Sequence, residues 1–414
     1  VSYFRKISPA EATHLAKDAI PNGQFVNQFF IEGDFLNQEK GFDQQQWQKA
    51  IELAAAANPG ICVQLRGYWG FRYWKHIQIK PQLINYQGDW DGLSSKGFAD
   101  LAPFINPRSE NIAQIILINQ TSSALKENQK ALVLFRIHHG ICDGAATAHW
   151  IQEVFRALRG ETLLGSKSTL CELDIVKRTE YPKPSVFRGR CLTVFPKSVE
   201  PEKTGCHWVK LHWQHSEQRI VAKLLFILRT IAMEEHGEGR TVFRLTSDLR
   251  HYLTKEELKI AQFSNLSGIF DIEVRTGDTV KGIQYKIIKA LRNRQDLSVY
   301  PKRMFGLANW LPSSLFNLKP NGAKNLHTRG VCNITAMIGY ANHIDLDAVS
   351  YPNFSAQSAY AIPMSIEDKS VFMSIASSPN GIDVILSAPN ALSNFKNSYL
   401  LAQRIDNELK ALEH

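Results

Sequence analysis

The stretch from Ala131 to Leu158 constrains this chain more than any other. Ala131-Leu132-Val133-Leu134-Phe135-Arg136-Ile137 is an almost wholly apolar run of strand length. It feeds without a spacer into His138-His139-Gly140-Ile141-Cys142-Asp143-Gly144. Ala148, Ile151, Val154, Phe155 and Leu158 then recur at helical spacing, which predicts a helix over 145–158. The unit is strand, tight turn, amphipathic helix, with its polar residues gathered in the turn. Such a unit needs a sheet to carry the strand, so the chain is predicted to be α/β.

Within the turn, consecutive residues of an extended chain point oppositely. One imidazole can therefore face inward for structure while the other enters a cavity. Asp143 can pin the turn, through a cation or through backbone amides. Gly144 permits a positive φ or a close approach. Three readings fit these residues. The first is a structural turn with satisfied histidines. The second is a metal site, but neighbouring residues rarely aim at one ion, and neither HExxH nor a carboxylate cluster reinforces it. The third is a general-base histidine, since an imidazole with a pKa of about 6.5 can take a proton from a hydroxyl or amine near neutral pH.

Composition narrows the class. The chain has 414 residues, 44% hydrophobic and 21% charged, which predicts a folded protein of two or three units. No apolar run reaches the roughly 18 residues that cross a bilayer. Val1-Ser2-Tyr3-Phe4-Arg5-Lys6 lacks the layout of a signal peptide, and Leu412-Glu413-His414 resembles the stump of a tag and stays out of the functional reading. The six cysteines, at 62, 142, 171, 191, 206 and 332, form no CxxC pair. That excludes a zinc ribbon or dithiol motif and predicts a cytoplasmic protein without structural disulfides. Net charge is +9, yet no run of five Lys/Arg and no zinc-finger or RRM signature is present, so nucleic acid is not the expected partner. The excess charge serves either solvation or attraction of a phosphorylated or acidic partner.

Along the chain, periodicity predicts a strand over 24–32, a helix over 42–57 and a hairpin over 61–79. The hairpin's Tyr68-Trp69-Gly70-Phe71-Arg72-Tyr73-Trp74 serves either ligand binding or packing on a sheet. Strands are predicted over 112–118 and 131–137. Residues 165–205 carry Pro182, Pro184, Pro196 and Pro201 with little periodicity and read as a crossover. Beyond it come a strand over 208–213 and a helix over 217–235, capped by Ser216 and ended by Gly237. Strands over 241–247 and 268–274, a helix over 279–293, a hairpin of 371–376 and 382–387, and a terminal helix over 392–412 complete the reading. The predicted division is 1–165, a linker over 166–205, and 206–414.

His138 to Gly144 match the pattern HHxxxDG in full. The chain thereby resembles the chloramphenicol-acetyltransferase-like superfamily, which includes condensation domains of nonribosomal peptide synthetases, polyketide-associated acyltransferases and bacterial wax ester synthases. Looser resemblance covers most of the chain. Ile7-Ser8-Pro9-Ala10-Glu11 and Phe30-Ile31-Glu32-Gly33-Asp34-Phe35 look like the family's opening helix and first strand. Asn58-Pro59-Gly60-Ile61 looks like the step after its first long helix, and Thr246-Ser247-Asp248-Leu249-Arg250 like a strand of the second half. Val331-Cys332-Asn333-Ile334-Thr335 looks like a late strand that often carries an Asn. The family's DFGWG motif is absent, and Cys62 stands where an arginine is usual, with Arg66 nearby.

The resemblance implies two chloramphenicol-acetyltransferase-like halves in a V-shaped pseudo-dimer, each a mixed sheet with helices, and a channel between them. It implies His139 as catalytic base and His138 as mainly structural. Asp143 would hold the motif loop through an arginine of the other half, for which Arg250 is the match, and Gly144 would shape the channel wall. Asn333 and nearby backbone amides are the candidate oxyanion donors. The implied activity is transfer of an acyl group from a thioester donor to a hydroxyl or amine acceptor, in nonribosomal peptide, polyketide or lipid biosynthesis. The donor would be acyl-CoA or an acyl chain on the phosphopantetheine of a carrier protein. No resident cofactor or metal is expected, and the chain is expected to act as a free-standing monomer. The other reading is a non-catalytic condensation-like module that docks carrier proteins. Loss of the histidine or aspartate would favour it, and both are present.

Overall fold

The computed structural model describes residues 3–18, 25–36, 41–88, 90, 92–109, 111–119, 130–180, 189–197, 203–214, 218–297, 329–341, 343–363 and 370–413. The first lobe runs β1 (Phe4–Lys6), α1 (Pro9–Lys17), β2 (Val26–Phe35), α2 (Gln44–Ala57), β3 (Val63–Arg66) and β4 (Tyr73–His76). It continues with β5 (Gln82–Gln87), α3 (Phe98–Leu101), β6 (Ala113–Asn119), β7 (Lys130–His138) and α4 (Gly144–Leu158). The crossover holds α5 (Glu172–Arg178) and β8 (Cys191–Leu192). The second lobe starts with β9 (Cys206–Trp213), α6 (Ile220–His236), β10 (Thr241–Asp248), α7 (Lys255–Ile260), β11 (Ser267–Val274) and α8 (Val280–Arg292). β12 (Val331–Cys332), β13 (Ala336–Ala341), β14 (Phe354–Ile362), β15 (Val371–Ser378), β16 (Gly381–Pro389) and α9 (Phe395–Glu413) follow.

β7 is the middle strand of a five-stranded sheet ordered β14–β2–β7–β6–β5. A strand paired on both edges and covered on both faces is apolar throughout rather than alternating. Val133 and Phe135 pack with Trp47, Trp150 and Phe155 of α2 and α4, while Leu132 and Leu134 pack on the other face with Phe30, Trp90, Tyr360 and Trp208. Burying one such side chain contributes about 1.5–3 kcal/mol. A one-residue slip would reverse every one of them, so this burial fixes where the strand delivers its terminal histidines.

The second lobe is a six-stranded mixed sheet ordered β11–β10–β13–β15–β16–β9, with β13 parallel to both β10 and β15. Residues of α6, α8 and α9 pack into its core. The two lobes meet through Trp208, Ala376 and Ile385 of the second against Phe30, Trp90 and Tyr360 of the first sheet. Lys210 of β9 adds an ion pair with Glu32 of β2 at 2.7 Å.

Several elements differ from the sequence reading. β14 lies within 206–414 but completes the first sheet, pairing antiparallel with β2 from Phe354 opposite Phe35 to Ile362 opposite Gln28. The crossover is packed into the fold: Glu172, Ile175 and Val176 of α5 are buried, and the Ala10 N–H donates to Glu172 Oε1 at 3.0 Å. α6 begins at Ile220 after Arg219, which has φ 57° and no side-chain cap. Ser216, the expected cap, lies outside the described residues. Val331 to Thr335 is a two-residue strand followed by a bend, and the longer strand starts at Ala336. α9 reaches Glu413, whose Oε1 accepts from Lys223 at 2.9 Å, so Leu412 and Glu413 belong to the fold. In the aromatic hairpin Trp74 is buried in the first core, whereas Tyr68 and Phe71 are exposed. All six cysteines are free thiols.

Candidate active site

The turn after β7 sits at the lobe junction, and each residue in it has a different fate. His138 is fully buried. Its Nδ1 accepts the Gly140 N–H at 3.0 Å, so the ring proton sits on Nε2 and is donated to Asp18 Oδ2 at 2.7 Å. That double contact fixes the tautomer and makes His138 part of the scaffold. His139 points the other way, as alternation along an extended chain requires. From Ala131 to Asp143 it is the only residue that is not buried.

The His139 backbone is held from both lobes. Its N–H donates to Phe25 O at 2.8 Å, and its carbonyl accepts from Asn265 Nδ2, in the segment between β10 and β11, at 2.8 Å. The ring stacks on Phe25, with centroids 4.9 Å apart and planes 16° apart.

The two glycines exchange their expected importance. A Cβ on Gly140 would lie 2.9 Å from His138 Nδ1 and 3.2 Å from Leu15 Cγ, so the turn closes only with glycine there. Gly144 has no positive φ, and a Cβ on it would meet only Phe29 Cζ, at 3.8 Å. The expectation of a positive φ or a close approach at Gly144 is therefore corrected. Gly144 is half-buried and Ala145 exposed, which leaves the first turn of α4 uncovered beside His139.

Cys142 is fully buried, and its carbonyl accepts from Asn27 Nδ2 at 2.8 Å. Burial pushes its thiol up to about 12. A thiol so far above neutrality supplies almost no thiolate, which removes Cys142 as a nucleophile.

Asp143 caps α4, with Oδ1 accepting the Ala146 N–H at 2.8 Å. Arg250 approaches from the end of β10 and places Nη1 3.0 Å from Oδ2 and Nη2 3.2 Å from Oδ1. The Leu266 N–H adds a second donor to Oδ2, at 2.5 Å. Arg250 also reaches Asp248 Oδ1 at 2.8 Å and the carbonyls of Gln262 and Ser264 at 3.0 and 2.9 Å. Desolvating each ion costs several kcal/mol, and only good geometry with further hydrogen bonds offsets that. Both ions meet that condition. Burial opposes the Arg250 charge, but Asp143 and Asp248 outweigh it and hold the guanidinium above its ordinary value.

Asn333 is not at the turn. It is exposed, and its carbonyl accepts from Cys191 Sγ at 3.6 Å. Two residues on, the Thr335 N–H donates to Val242 O, so Asn333 lies near the Thr241 end of β10. Arg250 follows the Asp248 end. Six strand residues, about 20 Å, separate those ends. Resemblance assigned the residue type, and the register of the sheet puts it elsewhere.

The sequence reading missed residues that touch the motif, among them His14, Asp18, Phe25, Asn27 and Asn265. Of these, only His14 and Asp18 left a sequence signal, a spacing of four in the opening helix. Another histidine near the motif, His149 on α4, contacts Asn58 Oδ1 at 3.0 Å through Nε2, and burial pulls it down to about 4. It stays neutral in the core and is no candidate base. No group of three or more His, Cys, Asp or Glu suited to a metal occurs among the described residues. No helix among them is long and apolar enough to cross a membrane.

No protein-family model matches the sequence, and no curated protein is detectably similar to it. Solved structures are. The condensation domain of the Monacolin K polyketide synthase MokA aligns with TM-score 0.66 and 10% identity, over 99% of this chain and 97% of that one. A doubly mutated starter condensation domain of rhizomide synthetase RzmA, in complex with C8-CoA, aligns with TM-score 0.64 and 12% identity, over 99% and 95%. Polyketide synthase associated protein 5 from Mycobacterium tuberculosis aligns with TM-score 0.60 and 13% identity, over 98% and 96%. With both lobes covered in each case, the chain has the two-lobed, chloramphenicol-acetyltransferase-like fold of condensation domains.

Proposed function

We propose that this protein is an acyltransferase in which His139 is the general base. The donor is a thioester, acyl-CoA or an acyl chain on a carrier protein's phosphopantetheine, and the acceptor carries a hydroxyl or an amine. One observation carries the reading. Between His138 and Asp143 of the motif turn, His139 alone is accessible, while its backbone is pinned from both lobes.

A thioester is already activated, so the reaction needs orientation and one mobile proton rather than a covalent intermediate. The acceptor oxygen or nitrogen attacks the thioester carbon as His139 takes its proton. The tetrahedral adduct then collapses, the carbon–sulfur bond breaks, and the imidazolium returns the proton to the thiolate. A positioned base of this kind contributes roughly 10²–10⁴-fold. The excess positive charge suits a donor with a pyrophosphate or an acidic carrier protein. The starter condensation domain with C8-CoA bound supports acyl-CoA as one donor class, and the same RzmA domain has been solved with both C8-CoA and Leu-SNAC, which supports an amine acceptor. Six free thiols fit a reducing cytoplasm.

The test is mass spectrometry of products after incubation with acyl-CoA and acyl-pantetheine donors of graded chain length, each against a panel of amines and alcohols. A new ester or amide with loss of free donor is expected. Donors left intact across the panel, with the protein folded, would favour a docking module instead.

A further inference from the structure

α1 offers two side chains to the two motif histidines. His14 and Asp18 are four residues apart, a spacing that puts both on one face of a helix. Asp18 takes the Nε2 proton of His138 at 2.7 Å. His14 Nδ1 lies 3.2 Å from the carbonyl oxygen of His139. Asn265 Nδ2, which only donates, also lies 3.5 Å from this Nδ1, but it makes its shorter bond to His139 O at 2.8 Å; a carbonyl only accepts, so the closer contact to His139 O assigns the proton to Nδ1. The His14 ring sits 4.2 Å from the His139 ring, centroid to centroid, and 4.7 Å from Phe25. Phe25 lies 4.9 Å from His139, so the three rings form a nearly equilateral triangle. The segment just before α1 adds a further hold, because Arg5 Nη2 donates to Ile141 O at 3.2 Å.

We propose that His14 is a positioning residue for His139; the inference rests on the reading of His139 as the base. Phe25 and Asn265 already fix the His139 backbone, but a half-exposed imidazole keeps two rotatable side-chain bonds. Those bonds decide where the base nitrogen of its ring aims, and a reacting proton tolerates little misalignment. His14 closes that freedom in two steps. The Nδ1 hydrogen bond orients the His14 ring, and that ring walls one side of His139 while Phe25 walls another. The device also couples charge. Two imidazoles this close disfavour double protonation, because a second positive charge would sit beside the first. The charged groups on the surrounding elements are Asp18 on α1, held by His138, and Asp143 on α4, held by Arg250. Asn265, from the second lobe, is uncharged.

Three variants separate the steps. His14→Phe keeps a ring and loses the donor and the charge. His14→Asn keeps a donor and loses the ring. His14→Ala loses both. The readouts are the imidazole carbon–proton resonance of His139, assigned by its loss in His139→Gln and titrated from pH 5 to 8.5, and kcat and KM. In His14→Ala and His14→Asn the His139 resonance is expected to broaden, and kcat to fall about tenfold with KM within about twofold. In His14→Phe the resonance stays sharp and its midpoint rises. Thermal midpoints should stay at the wild-type value. A His139 resonance with wild-type width and midpoint in all three variants overturns the proposal. Should the wild-type protein transfer no acyl group from any donor, the functional reading fails and the resonance still decides the role of His14.

Discussion

Arg250 crosses the lobe junction and places both terminal nitrogens on Asp143, at 3.0 and 3.2 Å, with both residues buried. The bridge ties the cap of α4 to the end of β10, so the motif turn belongs to both lobes at once. Removing one partner leaves the other ion buried without its counter-charge, which costs roughly 3–5 kcal/mol. Asp143→Ala and Arg250→Ala should each lower the thermal midpoint by several degrees. The double variant, Asp143→Ala with Arg250→Ala, should lie closer to wild type than the two separate losses predict. Calorimetry on the four proteins checks this, and single variants as stable as wild type would contradict it.

The glycine geometry makes a paired prediction. Gly140→Ala forces a Cβ to within 2.9 Å of His138 Nδ1, so it should disturb the His138–Asp18 contact and lower the thermal midpoint. Gly144→Ala meets one ordinary contact and should melt like wild type. Any loss of turnover in Gly144→Ala would then come from crowding of substrate rather than from the fold.

Cys142 sits inside the motif and is the natural rival nucleophile. With its thiol near 12 and fully buried, it should resist alkylation by iodoacetamide in the native protein at pH 8. Cys142→Ala should keep most of the turnover. An acyl adduct on Cys142, found by peptide mass spectrometry, would reverse the assignment.

A buried charge cluster beside the motif predicts a pH dependence. Glu11 and Glu172 share one guanidinium, Arg5, whose Nη2 lies 2.5 Å from Glu11 Oε1. Burial raises both carboxyls, and Arg5 draws Glu11 back only to about 7, from 4.5 when exposed. The folded protein thus holds a proton that the unfolded chain releases earlier. Stability from this proton is complete below about pH 4.5 and is lost as pH rises through about 7. Glu172→Gln removes the competition. Measured against wild type by chemical denaturation, its advantage over wild type should grow as pH rises from 5 to 8. Parallel curves over that interval would contradict the account.

What the sequence made legible follows from physical reach. β7 was readable because a central strand must be apolar on both faces, and the turn was readable because its polar residues are concentrated there. The Asp143–Arg250 pair followed from resemblance together with the cost of burying a lone carboxylate. β14 was not readable as part of the first sheet, because nothing within Phe354–Ile362 names its partner strand; β2 does so only in three dimensions. Asn265 lies in a short segment without periodicity, and its value comes from one hydrogen bond to His139 O. Asn333 was misplaced because residue type travels with resemblance while strand register does not. Gly140 escaped notice because its need for glycine comes from the His138 ring folding back over the turn.

The central claim is that His139 takes the acceptor proton, and the direct measurement is acyl transfer by His139→Gln. Glutamine keeps much of the polar bulk and cannot act as a base near neutral pH. With the donor and acceptor that the wild-type protein uses, His139→Gln should keep its thermal midpoint and lose roughly 10²–10⁴-fold in kcat. A folded His139→Gln protein that forms product at the wild-type rate would contradict the account.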